Sequence, residues 1–268
     1  MAPFFRGYTE DFALHNDDLV AIEMLYGPNV RNNMNNHIKT ETQIVPKYDS
    51  RLNYLCSDGK FDAITQLSDF YTYIFKGSQV YKFNSNRKLE PGYPKLINSV
   101  FRDWSHSGFN SLPNNLDAVL YMPENKTAYF FKNNLYWKSS SLYEVDANYP
   151  RLISADFKGL NSKNGFKGKL DAVFIWSGNR RTYFVEGEHY WRYDFQTGWI
   201  EPGYPKSFSF WRGLDSKISN AFLYSDDKTY FFKDDLFYTF NDQLFKVDDE
   251  FNPQLNRDYW FFCNNYNN

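Results

Sequence analysis

The sequence predicts an all-β fold in which four small antiparallel sheets surround an axis, a four-bladed β-propeller. Three observations predict it: a multi-part motif recurs four times, aromatic residues make up 21% of the chain, and apolar residues fall in runs of strand length. Aromatic side chains favour strands because flat rings pack well on a pleated surface. Sheets this small cannot bury both faces alone, whereas radial packing buries them.

A short apolar segment opens each repeat. The second residues of the four copies are 55, 54 and 49 positions apart (62 to 117, 117 to 171 and 171 to 220). The copies lie at residues 61–64, 116–119, 170–173 and 219–222. The alternative is a β-sandwich with accidental internal similarity, and four ordered copies of a multi-part motif argue against it.

Two aromatic strands joined by a tight turn follow each opening segment and predict a hairpin. The turns contain Gly, Asn or Asp, which suit tight turns. The hairpins cover residues 73–83, 129–138, 183–193 and 230–240. Each of the first three units ends in a segment that contains proline. Proline has no backbone N–H to donate to the hydrogen bonds of a sheet, so the strands are expected to end there. A short helical turn is then predicted at each of residues 101–104, 157–160 and 211–214.

Charge and hydropathy exclude several function classes. The net charge is −2 and the pI is about 6.1, so no basic field favours a nucleic-acid partner. No apolar run approaches the roughly 18 residues that a membrane span needs. The first twenty residues contain five charged side chains and no apolar stretch, so they do not predict a signal peptide.

The two cysteines, Cys56 and Cys263, bracket almost the whole repeat region. Two unrelated buried thiols are one interpretation, and a disulfide that closes a ring of sheets is the other. Closing so long a loop would stabilise the fold by roughly 5 kcal/mol in the chain-entropy model. It would also require an oxidising compartment, which conflicts with the missing signal peptide.

The N-terminal segment predicts one amphipathic α-helix and a polar linker. Leu19, Ile22 and Leu25 recur at helical spacing, and Gly27 followed by Pro28 ends the helix. Four asparagines among few large apolar residues then indicate a linker. The predicted organisation is a helical segment at residues 1–27, a linker at 28–55, a propeller at 56–263 and a tail at 264–268.

The combined motifs resemble hemopexin repeats. They are the Asp-Ala-Val openings, the aromatic strands with Lys-Asn or Glu-Gly turns, the Tyr-Trp strands and the Pro-Gly-Tyr-Pro exits. The resemblance covers about residues 56–263 and implies the four-bladed hemopexin-like propeller, with Cys56 and Cys263 where the family's disulfide joins blades one and four. The fourth repeat departs from the pattern, because Asn220 is interpreted as replacing Asp.

The segment before the repeats is similar to the last helix of a matrix metalloproteinase catalytic domain, and its Met-Ala-Pro-Phe start resembles the membrane-type members. The resemblance implies that the chain is the C-terminal part of a longer zinc endopeptidase, with Met1 an internal residue and the catalytic Zn²⁺ held only by the missing domain. A membrane anchor is expected in a membrane-type enzyme, and the five residues after Cys263 contain none.

The hemopexin resemblance also implies calcium in the central channel. Main-chain carbonyls of one residue per blade would supply oxygen, the ligand atom that Ca²⁺ prefers. These residues are Asp62, Asp117, Asp171 and Asn220. The residues two positions later would line a second ion site in the channel, and they are Ile64, Val119, Val173 and Phe222. The alternative is that the aspartates only cap the strands that they begin.

The sequence lacks catalytic motifs, so the chain is expected to bind rather than to cut. A metzincin needs the HExxHxxGxxH pattern, and none of the four histidines is followed by Glu. No nucleophile elbow or phosphate-binding glycine loop is present. The leading interpretation is a recognition module of a matrix metalloproteinase. The alternatives are the tail of an active zinc metalloendopeptidase of the extracellular matrix and, less favoured, a haem-binding protein.

Partners implied by the resemblance are extracellular matrix proteins such as collagen, metalloproteinase inhibitors and a second copy of the chain. The parent protein is expected outside the cell or at its surface. Asn125, followed by Lys126 and Thr127, is a glycosylation acceptor in a predicted turn and is usable only if the chain is exported.

Overall fold

Four antiparallel sheets, one for each sequence repeat, make up the computed structural model, which describes residues 49–102, 111–214, 217–248 and 253–263. Within each sheet the strands follow one another from the innermost to the outermost in chain order. The innermost strands of the four sheets contact one another in a closed cycle. The predicted four-bladed propeller is therefore confirmed.

The strand bounds follow the repeats. Blade one contains β1 (Ala63–Gln66), β2 (Thr72–Lys76), β3 (Gln79–Phe83) and β4 (Lys95–Leu96). Blade two contains β5 (Ala118–Met122), β6 (Thr127–Lys132), β7 (Leu135–Ser139) and β8 (Arg151–Leu152). Blade three contains β9 (Ala172–Ile175), β10 (Thr182–Glu186), β11 (His189–Asp194), β12 (Trp199–Ile200) and β13 (Lys206–Ser207). Blade four contains β14 (Asn220–Leu223), β15 (Thr229–Lys233), β16 (Leu236–Asn241), β17 (Lys246–Val247) and β18 (Gln254–Leu255).

Short helices lie before the first blade and at the blade ends. The α-helices are α1 (Asn53–Cys56), α2 (Ile97–Val100), α3 (Ile153–Asp156) and α4 (Asn256–Tyr259). Short 3₁₀ helices span Ser50–Leu52, Ser162–Asn164 and Phe208–Phe210. No helix among the residues described is long and apolar enough to cross a membrane.

One large aromatic residue follows the helix at each blade's end and is buried. In the first three blades this residue contacts an aromatic ring on the second strand of the next blade. Ring centroids are 5.3 Å apart for Phe101 and Phe130 and 5.2 Å apart for Phe157 and Phe184. The distance is 5.4 Å for Trp211 and Phe231. These residues fill the space between sheets that twist away from one another.

The helical turns predicted at 101–104, 157–160 and 211–214 start too late. In each of these three blades the helix ends just before the buried aromatic residue, and the following basic residue pairs with a residue of the next blade. Lys158 pairs with Trp199, and Arg212 pairs with Lys246. Gly213, with φ +85°, follows at a point where a Cβ would lie 2.8 Å from Cβ of Val247. The prediction failed because tertiary pairing with the next blade overrides local helical preference.

The propeller unit begins earlier than the predicted boundary at residue 56. Leu52 and Leu55 lie in helical turns and are buried in the core that blades one, two and four share. The predicted linker therefore cannot extend to residue 55. The predicted helix at residues 1–27, most of the linker and the tail at 264–268 lie outside the described residues.

A disulfide joins Cys56 to Cys263, whose Cα atoms are 5.8 Å apart. The first cysteine precedes blade one and the second follows blade four. The predicted disulfide is confirmed, and it closes the ring covalently where the first and last blades meet.

Candidate functional site

The inner strands β1, β5, β9 and β14 surround a central channel with two different ends. Each strand begins at one end, close to the β-turn that joins the second and third strands of its own blade. At that end the Asp62 carboxylate accepts the backbone N–H of Gly77 at 2.6 Å, and the Asp171 carboxylate accepts that of Gly187 at 2.6 Å. Asp117 accepts the N–H of Asn133 and the ammonium of Lys132. We call this end the aspartate end.

The three aspartate side chains thus hold the turns of their own blades rather than each other. Burial raises the pKa of Asp62, and the N–H of Gly77 acts in the opposite direction. Because the carboxylates are occupied in this way, an ion in the channel would have to use the main-chain carbonyl oxygens of these residues, as the family resemblance implies. The described residues contain no group of three or more His, Cys, Asp or Glu side chains that could hold a metal ion.

One carbonyl at this end already has a partner in another blade. The Asn220 side-chain amide donates from Nδ2 to the Asp62 carbonyl oxygen at 3.1 Å. Asn220 is buried in blade four, and this bond connects that blade to blade one. The bond shows that the Asp62 carbonyl faces blade four, as the channel geometry requires.

The strand register corrects the expected equivalence of Asn220. Ala63 and Ala118 lie opposite Phe75 and Phe131, and Asn220 lies opposite Phe232 in the same way. The residue before each of them donates its N–H to the opposite carbonyl. These residues are Asp62, Asp117, Asp171 and Ser219. Ser219 therefore occupies the aspartate position of blade four, and Asn220 occupies the alanine position.

The residues predicted for the second ion site shift by the same single residue in blade four. Ile64, Val119 and Val173 are buried on the inner strands, and the blade-four residue in their register is Ala221. Phe222 lies one residue further along β14. Matching the apolar residue before the aspartates to Ile218 would have given this alignment, because Leu116 and Leu170 hold that place in blades two and three.

The opposite end of the channel opens into a cavity of about 460 Å³. Apolar residues of the inner strands form its wall, including Val119, Val173 and Phe222. The four turns that join the first and second strands of the blades form its rim. We call this end the mouth. The sequence does not predict this cavity, because no single repeat contains a signal for a space that four turns enclose together.

Asn125 lies in the blade-two turn at this rim, and it is exposed. Its side-chain Oδ1 accepts the backbone N–H of Thr127 at 3.1 Å. The turn geometry is compatible with the predicted glycosylation, which stays a prediction.

Comparisons with known proteins agree with this architecture. The family model described as Hemopexin matches residues 61–103, 116–162 and 170–216, about half of the chain. Matrix metalloproteinase-2 of Drosophila melanogaster is 34% identical over 69% of this chain and 22% of its own length. Vitronectin of Sus scrofa is 37% identical over 53% of this chain and 28% of its own.

A third relative, interstitial collagenase A of Mus musculus, is 30% identical over 98% of this chain and 50% of its own length. The chain thus spans at most half the length of these three relatives.

Solved structures support the fold. The seed albumin LS24 from Lathyrus sativus superposes with a TM-score of 0.61 at 19% identity, covering 76% of this chain and 95% of the albumin. The hemopexin fold protein CP4 from cow pea gives a TM-score of 0.59 at 18% identity, covering 75% and 95%. With the matched repeats and the closed ring of four blades, these findings assign the chain to the hemopexin family, as a hemopexin-like domain similar to those of matrix metalloproteinases.

Proposed function

We propose that this chain is a non-catalytic recognition module that binds extracellular matrix proteins such as collagen, metalloproteinase inhibitors or a second copy of itself. The observation that carries the proposal is the hemopexin propeller itself, in a chain whose sequence lacks the histidine pattern of a zinc protease. A metalloproteinase and vitronectin match at similar identities. That similarity supports a module used by proteins of different activity.

The proposal is tested by binding and by digestion with the full chain. We expect saturable binding to immobilised triple-helical collagen, to a metalloproteinase inhibitor or to the chain itself, and no cleavage of casein or gelatin in the presence of zinc. Binding should disappear when the chain is reduced and unfolded in urea. Zinc-dependent cleavage would overturn the proposal. Failure to bind any of the three partners would overturn it as well.

The alternative is that the chain belongs to an active zinc endopeptidase of the extracellular matrix. The match to a collagenase over 98% of this chain and 50% of the collagenase supports it. In that case the recognition module serves the protease, and cutting requires a domain outside this sequence. An extracellular place for the parent protein agrees with the disulfide, since structural disulfides persist in oxidising compartments.

We further propose that the aspartate end holds Ca²⁺ through main-chain carbonyls of Asp62, Asp117, Asp171 and Ser219. Oxygen donors without net charge suit a hard cation, and the Asp62 carbonyl already faces the neighbouring blade. Asn220 must turn its amide for the ion, so that Oδ1 rather than Nδ2 faces the site.

Calcium binding is measurable without any assay of activity. Calorimetric titration of the refolded chain, stripped of metal, should give one strong site for Ca²⁺, and Ca²⁺ should raise the thermal midpoint by mass action. A metal-free protein whose midpoint is unchanged by millimolar Ca²⁺ would overturn the calcium proposal and leave the recognition proposal intact.

A further inference from the structure

The mouth of the channel carries four side chains in matching backbone positions. In each blade the turn between the first and second strands contains one residue with positive φ: Phe70 (63°), Lys126 (55°), Arg180 (58°) and Asp227 (68°). All four line the same cavity. The residue before each one accepts, through its side-chain oxygen, the N–H of the residue after it, so the four turns share one conformation.

Glycine would be the least strained residue at such positions, because other residues pay a steric cost at positive φ. The turns between second and third strands, at the other end of the blades, use small residues there: Gly77, Asn133, Gly187 and Asp234. The mouth turns keep an aromatic ring and two long cationic side chains instead. Large residues also occur at positive φ elsewhere, at Arg87 and Tyr143 for example, but at the mouth the four of them line one cavity together.

The cavity combines an apolar wall with a rim on which the charged side chains are unevenly distributed among the four turns. Arg180 forms an ion pair with Asp227, and guanidinium keeps further N–H donors beyond that pair. The ammonium of Lys126 makes no ion pair with the described residues. The rim of blades two and three is therefore positive, while blade four contributes the carboxylate. Phe70 is 76% exposed and stands at the blade-one side of the opening.

We propose that the mouth binds a small amphipathic organic anion. Its carboxylate, sulfonate or phosphate group would contact Lys126 and Arg180, and its apolar part would enter the channel between Val119, Val173 and Phe222. The volume of about 460 Å³ lies within the usual range for small-molecule sites. Phe70 would cover the apolar part at the opening.

The probe for this site is 1-anilinonaphthalene-8-sulfonate, an aromatic anion that fluoresces when its rings leave water. The neutral analogue N-phenyl-1-naphthylamine has the same rings without the sulfonate. We expect the full chain to bind the anion at one saturable site and to bind the neutral analogue at least several-fold more weakly.

Variants locate the site. Lys126→Gln should weaken binding of the anion roughly three- to tenfold, the range expected for a partly exposed ion pair, and leave the neutral analogue unaffected. Phe70→Ala should weaken both. Lys228→Gln is the matched control, because Lys228 is exposed in the equivalent turn of blade four and does not line the cavity.

Either of two results would overturn the proposal. If Lys126→Gln and Phe70→Ala bind the anion as tightly as Lys228→Gln, or if binding is not saturable, the anion sits elsewhere on the surface. All three residues are exposed, so thermal unfolding of each variant should match that of the parent chain and exclude misfolding as the cause.

Discussion

Asn220 connects two blades through its side chain at a position where the other three blades have alanine. Its amide replaces a methyl group at the aspartate end, and its bond to the Asp62 carbonyl spans 158 residues of chain. A single buried hydrogen bond of this kind contributes about 1 kcal/mol net. Because it joins blades one and four, it acts at the place where the ring closes.

Replacing Asn220 by Ala should lower the free energy of unfolding of the metal-free protein by about 1–2 kcal/mol, because the inter-blade bond and a buried side chain are lost. Urea denaturation in the presence of a chelator measures the change. Asn86→Ala serves as the control, since Asn86 is exposed on an outer turn. Equal effects of the two substitutions would show that Asn220 contributes nothing across the blades.

Buried tyrosines limit the stability of the folded protein at alkaline pH. Burial raises the pKa of Tyr81, Tyr93, Tyr129 and Tyr190 to about 12, above the ordinary value of 10.0. Between these values the unfolded chain has released protons that the folded chain still holds. Stability therefore falls as pH rises through this window.

We expect the thermal midpoint to fall steeply between pH 10 and pH 12, with tyrosinate absorbance rising together with unfolding. A spectrophotometric titration at 295 nm alongside circular dichroism tests this. Complete tyrosine ionisation at pH 10 in a chain with native dichroism would contradict the prediction.

The register of blade four is not predicted by the chemical type of its residues. Asn220 resembles the aspartates chemically and precedes Ala221 as they precede alanine, whereas strand pairing places Ser219 at their position. Chemical similarity is a weak guide to register, because a shift of one residue moves every side chain to the other face of a strand. Counting from the apolar residue before the aspartate would have been the better guide.

At the scale of elements, the buried aromatic residues after the exit helices stabilise the contacts between sheets. Trp211 is 1% exposed and packs against rings of both blade three and blade four. Trp199, on the outer strand β12, is 53% exposed. The two residues are therefore a useful pair for comparison, because one ring is buried between two blades and the other is half exposed.

Trp211→Ala should lower the free energy of unfolding by about 3–5 kcal/mol, because it leaves a large cavity between two sheets. Trp199→Ala should lower it by less than about 1 kcal/mol. Denaturant unfolding followed by circular dichroism gives both values. If the two substitutions cost the same, packing between these blades does not depend on the buried ring.

The hairpins were predictable and the exit segments were not. Each aromatic hairpin is a local structure whose turn residues and strand pattern agree with one another. The path after each helix depends on a partner that is distant in sequence, as in the pairing of Arg212 with Lys246. The sequence alone gives no reason for an arginine at that place to leave its own blade.

At the scale of the whole molecule, the architecture was predictable because four copies of one pattern leave few ways to bury all the apolar faces. The channel mouth was not predictable, because it exists only when Phe70, Lys126, Arg180 and Asp227 come together from four turns. The aspartate end was expected from the family resemblance, and its calcium stays a prediction.

The disulfide contributes to ring closure through the unfolded chain. Cys56 and Cys263 are separated by 207 residues, and the chain-entropy model gives roughly 5 kcal/mol for a loop of this length. A Cys56→Ser, Cys263→Ser double variant should be less stable by about 3–5 kcal/mol in urea denaturation. A variant as stable as the parent chain would show that the four blades close without the covalent bond.

The position of this bond also determines how the domain responds to mechanical force. Tension applied at Cys56 and at Cys263 passes from one sulfur to the other, because the disulfide joins the two ends of the ring directly. The blades between them carry almost none of that load. A pull on the two cysteines would therefore load the disulfide, while the sheets and their channel keep their shape until the bond is reduced.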